Sequence, residues 1–293
     1  MRVVPAYDLF FIVLYALLIP LVGFAAWSIT GRFEAWPLSL LLLVLYLLLA
    51  LRRPRRRLRA VRAPFPVEWR EFLLARSPFY RGLDEGGRSR FECDIRLFLT
   101  EARVAGTGGA PVSWGTRLLV AAGAATMLHG RPEWEPPIAD GVTVYPGHVF
   151  DREYRPGKGN IAGQAPAGGP LLVAEKSLLE GFAGEGDGYN VLLHELAHYF
   201  DLEARKGGMH LQPATGDAAP WAEIITREYE RHDFAHSALP DYAAQNEAEF
   251  FAVASEMFFE NPWLLQQSHP GLYAVLSAFY RQDVRTIILS AKS

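Results

Sequence analysis

The chain has 293 residues, half of them hydrophobic, with 29 Lys and Arg against 32 Asp and Glu. From residue 64 onward the balance is 20 basic to 30 acidic, a charge that repels a phosphate backbone and argues against nucleic acid as a partner. A single cysteine, Cys93, permits no intramolecular disulfide and fits a reducing compartment.

The hydrophobic excess sits at the amino terminus. Residues 9–29 and 35–51 contain no charged side chain, and only Thr30-Gly31-Arg32-Phe33-Glu34 separates them. A bilayer core about 30 Å thick takes about 20 apolar residues in a helix, with a lower limit near 17. The two stretches therefore predict a transmembrane hairpin within residues 1–63. The first is longer than the apolar core of a signal peptide and lacks a small-residue cleavage site. The second has no polar face, unlike an ordinary core helix. Arg52, Arg53, Arg55, Arg56, Arg57, Arg59 and Arg62 follow at once, with no acid among them. Such an excess marks the cytoplasmic side and faces anionic lipid headgroups. The expected placement is multi-pass in the inner (cytoplasmic) membrane, with residues 64–293 forming a domain in the cytoplasm.

Pro64 and Pro66 open that domain in extended chain. Apolar residues recur at helical spacing from Val67 to Ala105, predicting two or three helices before the break at Gly106-Thr107-Gly108-Gly109. Leu118 to Leu128 reads as a buried helix. Val142–Tyr145 and Leu171–Ala174, bounded by Gly and Pro, read as strands, with a loop from Gly157 to Gly169 between them. A helix starting near Asp187–Asn190 runs to about Arg205 and stops at Gly207-Gly208. Further helices are expected at 221–231, 246–261 and 272–282. The predicted class is α+β, mainly helical, with a small sheet beside one helix of special composition.

That helix carries His194-Glu195-Leu196-Ala197-His198. Residues four apart share a helix face, so both imidazoles can reach one ion, and the intervening acid stands where it can take a proton from water. Asp201 lies on the same face and could orient an imidazole, or simply sit at the helix surface. A catalytic zinc takes three protein ligands and keeps one position open. Candidates for the third are His210, His232, His236, Glu247, Glu249 and Glu256. The last three lie on an unusually apolar helix, where Glu249 and Glu256 share a face and Glu247 points elsewhere. His232-Asp233-Phe234-Ala235-His236 imitates the motif but sits in a loop context before Pro240.

Gly188-Tyr189-Asn190-Val191 running into the histidine motif, then Phe200-Asp201, resembles the Mlc titration factor A family of zinc peptidases. So do Tyr242-Ala243-Ala244, Ala248-Glu249, Ser255-Glu256, Phe258-Phe259 and Phe279-Tyr280-Arg281-Gln282-Asp283. The likeness spans most of residues 65–285. It departs at Leu196 and Tyr199, where the family has Phe and a basic residue, and over Lys206 to Ala219. The resemblance implies a zincin-like metallopeptidase fold related to the catalytic domain of anthrax lethal factor, with one zinc ion per chain. It makes His194, His198 and Glu249 the zinc ligands and Glu195 the general base, and places Glu256 behind the ligands; Tyr242, at a spacing similar to the lethal-factor pattern, is either an oxyanion donor or a buried aromatic after Pro240-Asp241. The activity implied is hydrolysis of a peptide or protein substrate; from its position alone, the apolar strand Leu171–Ala174 could align the substrate backbone by strand addition. A rival reading from the same family is a membrane-tethered module that sequesters a cytoplasmic transcriptional regulator, with zinc mainly structural.

Overall fold

The computed structural model describes residues 1–136, 140–151, 159–166, 168–184, 186–205 and 221–291. Its internal contacts divide the chain into two units, Met1–Pro64 and Phe65–Ser293.

The first unit is a helical hairpin. Helix α1 (Ala6–Thr30) ends at Gly31, whose positive φ of 66° supplies the left-handed turn that reverses the chain. Helix α2 (Ala35–Ala50) runs back and continues almost without interruption into α3 (Arg52–Arg62). The pair packs where Gly23 meets Ser39, so closely that a Cβ at Gly23 would stand 2.4 Å from Ser39 Oγ. Tyr46 donates to the Phe11 carbonyl at 2.8 Å. Leu and Val side chains of both helices, with Phe10 and Phe24 of α1, point outward. By length and composition, Ala6–Thr30 and Ala35–Arg62 are each able to cross a membrane.

The second unit is mostly helical. It opens with α4 (Val67–Arg76), α5 (Pro78–Gly82) and α6 (Glu85–Glu101), then a short strand β1 (Val104–Gly106) and α7 (Trp114–Leu128). Strands β2 (Val142–Tyr145), β3 (Gly163–Gln164) and β4 (Leu171–Ala174) follow, leading into α8 (Glu175–Gly181) and α9 (Val191–Arg205). The chain finishes with α10 (Trp221–Arg231), α11 (Glu247–Glu260), α12 (Pro262–Ser268), α13 (Pro270–Tyr280) and α14 (Val284–Ser290). Side-chain caps set several starts: Asp84 accepts from Gly87 N, Ser113 from Thr116 N, and Asn246 from Ala248 N and Glu249 N.

The sheet is mixed, in the order β1-β2-β4-β3. β1, β2 and β4 run parallel, and β3 pairs antiparallel with β4 through Gly163↔Val173 and Gln164↔Leu172. Every residue of β4 is buried, as a strand flanked on both sides requires. This corrects the expectation that Leu171–Ala174 could receive a substrate strand: both of its edges are taken, and β3 holds the sheet edge beside α9. It also places a strand inside the segment read as loop. Two residues with no alternating pattern give no sequence signal, and only their partner defines them.

Helix α7 is buried from Leu118 to Leu128 and crosses α9 at Gly123, where a Cβ would meet Leu192 Cδ2 at 2.6 Å. Behind α9 and α11 stands an aromatic cluster of Phe200, Phe251, Phe258, Phe279 and Tyr280, with Tyr280 donating to Ser255 Oγ at 2.9 Å. Arg131 is buried against Trp134 and donates to the Phe279 and Ala278 carbonyls at the end of α13. The rigid pair α9–α11 is the platform for the site.

Candidate metal centre

Helices α9 and α11 pack along their lengths, and each contributes to one polar cluster. His194 and His198 come from α9, one turn apart, with ring centroids 4.9 Å apart. Glu249 comes from the first turn of α11, where Asn246 caps the helix and fixes its position. His194 Nε2 lies 3.2 Å from His198 Nε2 and 3.2 Å from Glu249 Oε2, and His198 Nε2 lies 3.5 Å from Glu249 Oε2. Three donor atoms thus converge on one point. A tetrahedral ion with ligands at about 2.0–2.1 Å holds them about 3.3–3.4 Å apart, the spacing seen here. Glu249 Oε2 is buried and receives no well-directed hydrogen bond from any of the described residues.

The donor set is short of positive charge. Burial opposes ionisation of His194, but the carboxylates of Glu249 and Glu256 outweigh it and hold the imidazole up to about 10. Burial likewise opposes the Glu249 carboxylate, and the two histidines pull it down to about 2. Two acids facing one imidazole from α11 suit a cation at the centre.

Glu256, one face further along α11, braces the cluster from behind. Its Oε2 lies 3.2 Å from His194 Nδ1, and its Oε1 accepts the Asn190 backbone N–H at 2.5 Å. A proton on Nδ1 leaves Nε2 with a lone pair directed at His198 and Glu249. Asn190 caps α9, accepting from Leu193 N at 3.3 Å, and its amide donates to the Gly181 carbonyl and to Glu260 Oε1. The start of α9 is therefore tied to two acids of α11.

Glu195 sits between the histidines and is only 7% exposed. Burial lifts its carboxyl to about 7, with Glu249 and Glu256 adding to the rise and the two histidines opposing it. Gly163 of β3 lies against it, so a Cβ there would stand 2.6 Å from Glu195 Cγ. Tyr242, on a 3-10 turn over Asp241–Ala244, places its ring 5.9 Å from that of His194. Burial, Glu249 and Glu195 all hold the phenol proton on, so it remains a donor at neutral pH.

These residues open onto a cleft of about 910 Å3, bordered by Gly163 and Gln164 on one side and by Gln245, Glu247 and Arg205 on another. Asp201 is buried and accepts from Arg205 Nε at 2.7 Å, while Arg205 also reaches Glu247 at 3.0 Å. Of the other ligand candidates, His232 bonds Ser237 Oγ and His236 bonds Asp233, away from the cleft. Glu247 pairs with Arg205 rather than with a histidine, and His210 lies outside the described residues. Sequence reasoning missed Gly163, whose contact with Glu195 depends on strand pairing. It also missed the double role of Asn190, although a polar residue just before an apolar helical run is a cap signal.

The sequence profile of the glucose-regulated metallo-peptidase M90 family matches residues 51–281. An uncharacterized protein of Synechocystis is 30% identical over 237 residues, covering 74% of this chain and 84% of the relative. Mlc titration factor A of Edwardsiella ictaluri is 34% identical over 130 residues, 42% of this chain and 49% of the relative. The Pectobacterium atrosepticum protein of that name is 30% identical over 159 residues, 48% and 59% of the two chains. The matched part spans about half the length of these titration factors.

Proposed function

This chain belongs to the glucose-regulated metallo-peptidase M90 family, and on that premise we propose that it is a membrane-anchored zinc-dependent peptidase. The observation that carries the reading is the triangle of His194 Nε2, His198 Nε2 and Glu249 Oε2, with edges of 3.2, 3.2 and 3.5 Å. Two imidazoles and a carboxylate form a donor set that suits zinc. A bound zinc ion would supply Lewis-acid polarisation of the scissile carbonyl and make water acidic enough to act at neutral pH.

The chain's own residues do the rest. Glu195 accepts the proton of the attacking water and delivers it to the departing amine, a task suited to a carboxyl raised toward neutrality. Tyr242 donates its phenolic hydrogen to the oxyanion that forms at the former carbonyl. Glu256 keeps His194 in one tautomer. The substrate backbone pairs along the edge of β3, which runs beside Glu195. The hairpin of α1 and α2–α3 crosses the membrane, and the seven arginines of α3 keep the catalytic unit on the cytoplasmic side.

The test is Glu195→Gln, which keeps the size and the zinc ligands. Metal content should stay at one per chain while peptide hydrolysis disappears. Normal hydrolysis by that variant would overturn the mechanism. A second reading draws on the likeness to Mlc titration factor A: the chain holds a regulatory protein at the membrane, with the metal structural. Under it, capture of the regulator survives Glu195→Gln and no peptide is cleaved by the unaltered chain.

A further inference from the structure

A second cavity, of about 160 Å3, shares no lining residue with the cleft. Phe182, Phe259 and Trp263 give it apolar walls, and Glu260, Arg76 and Arg81 give it charge. Glu260 is the last residue of α11 and accepts from Asn190 Nδ2 at 2.9 Å. Burial pushes its carboxyl up to about 8, with Asp187 and Glu256 adding to the rise and Asn190 opposing it. Arg76 is exposed beside the cavity, its guanidinium 5.9 Å from the Phe72 ring centre, and pairs with no carboxylate among the described residues. Among the described residues, a half-buried carboxyl without an ion pair and a guanidinium without an anion thus border the same small apolar space. Each is a costly or unused group until a complementary charge arrives.

We propose that this cavity binds a free apolar α-amino acid, with its ammonium on Glu260, its carboxylate on Arg76 and its side chain against Phe182, Phe259 and Trp263. The volume is below the roughly 300–1,000 Å3 of pockets for drug-sized ligands, which restricts the occupant to a molecule of amino-acid size. The bound ammonium lies one hydrogen bond from Asn190, the cap of the helix that carries His194 and His198. The site owes nothing to the metal and stands independently of the peptidase reading.

The experiment uses the full-length, metal-loaded Glu195→Gln chain in lipid nanodiscs so that turnover does not contribute, and the Glu260 and Arg76 variants separate this cavity from the metal centre. Equilibrium dialysis against radiolabelled L-leucine and L-phenylalanine should show saturable binding of one molecule per chain. Glu260→Gln, whose carbonyl still accepts from Asn190, and Arg76→Glu, on the surface, should each weaken it at least about tenfold, the loss of one charge-assisted hydrogen bond. N-acetyl-leucine and leucinamide, each lacking one of the two charges, should bind as weakly. No saturable binding at millimolar amino acid, or a loss of less than about tenfold in either variant, overturns the proposal.

Discussion

Replacing Gly163 with alanine asks how closely β3 must approach the proposed base. The added Cβ would fall 2.6 Å from Glu195 Cγ, 2.8 Å from its Oε1 and 2.8 Å from Val191 Cγ2. Carbon contacts are comfortable at about 3.5–4.0 Å, so something must move by roughly 1 Å. Val191 is β-branched and sits on the buried first turn of α9, which makes it stiff. Glu195 is longer and ends at an open cleft, so it yields. Overpacking of this kind costs about 1–3 kcal/mol. At about 2–4 °C per kcal/mol for a unit of this size, Tm should fall by roughly 2–12 °C. The catalytic loss should be larger, because a base displaced by about 1 Å costs on the order of 100-fold in rate. None of the three contacts involves His194, His198 or Glu249, so metal content should hold at its normal value. Thermal melts, metal analysis and kcat on a peptide that the unaltered chain cleaves give the three readings. A variant with the full loss of Tm but normal kcat would refute the reasoning, since Val191 and not Glu195 would have moved.

Other substitutions probe the remaining parts. Glu256→Gln can serve either Asn190 N–H or His194 Nδ1 with an oxygen but not both, so metal affinity should fall about 10–100-fold in a competition titration with a chelator. Tyr242→Phe should lower kcat by about 100–1,000-fold with metal content intact, as expected for removal of one oxyanion donor. His129, packed against Phe79 and Phe91, is lowered by burial, with Arg90 adding and Asp84 opposing, from 6.5 to about 4. The unfolded chain therefore binds a proton that the folded one refuses, and stability present above pH 6.5 is lost as the pH falls toward 4. The loss approaches roughly 3 kcal/mol. Denaturant midpoints of the metal-free chain should show that slope, and His129→Leu should flatten it.

The parts of the site that were legible in the sequence are those written in helical periods. The spacing of His194 and His198 fixes a shared face, and acids in the apolar run 247–260 announce a helix whose polar face meets something buried. What could not be read is what meets what. Nothing in the local sequence says that Glu256 reaches Asn190 across 66 positions, or that Glu260 joins it. Asp201 follows the same face as the histidines, yet its carboxylate is engaged by Arg205 one turn later. Strands β1 and β3 were missed for a related reason: two or three residues of Val, Ala, Gly and Gln become strands only through the neighbours they pair with. The apolar stretches before residue 52 are the opposite case, since composition alone predicts helices at 9–29 and 35–51.

The division of the three donors between two helices has a consequence for how the molecule is made. A chain emerging from the ribosome presents His194 and His198 first, and at that stage two imidazoles on one helical turn can hold an ion only loosely. Glu249 follows after the whole of α10 has been synthesised, and its capture requires α11 to dock on α9. Docking brings Glu256 and Glu260 onto the Asn190 cap in the same event. Under the proposed function, the full ligand set therefore forms only when α11 docks on α9, and a chain cut short before α11 carries the histidine motif without Glu249.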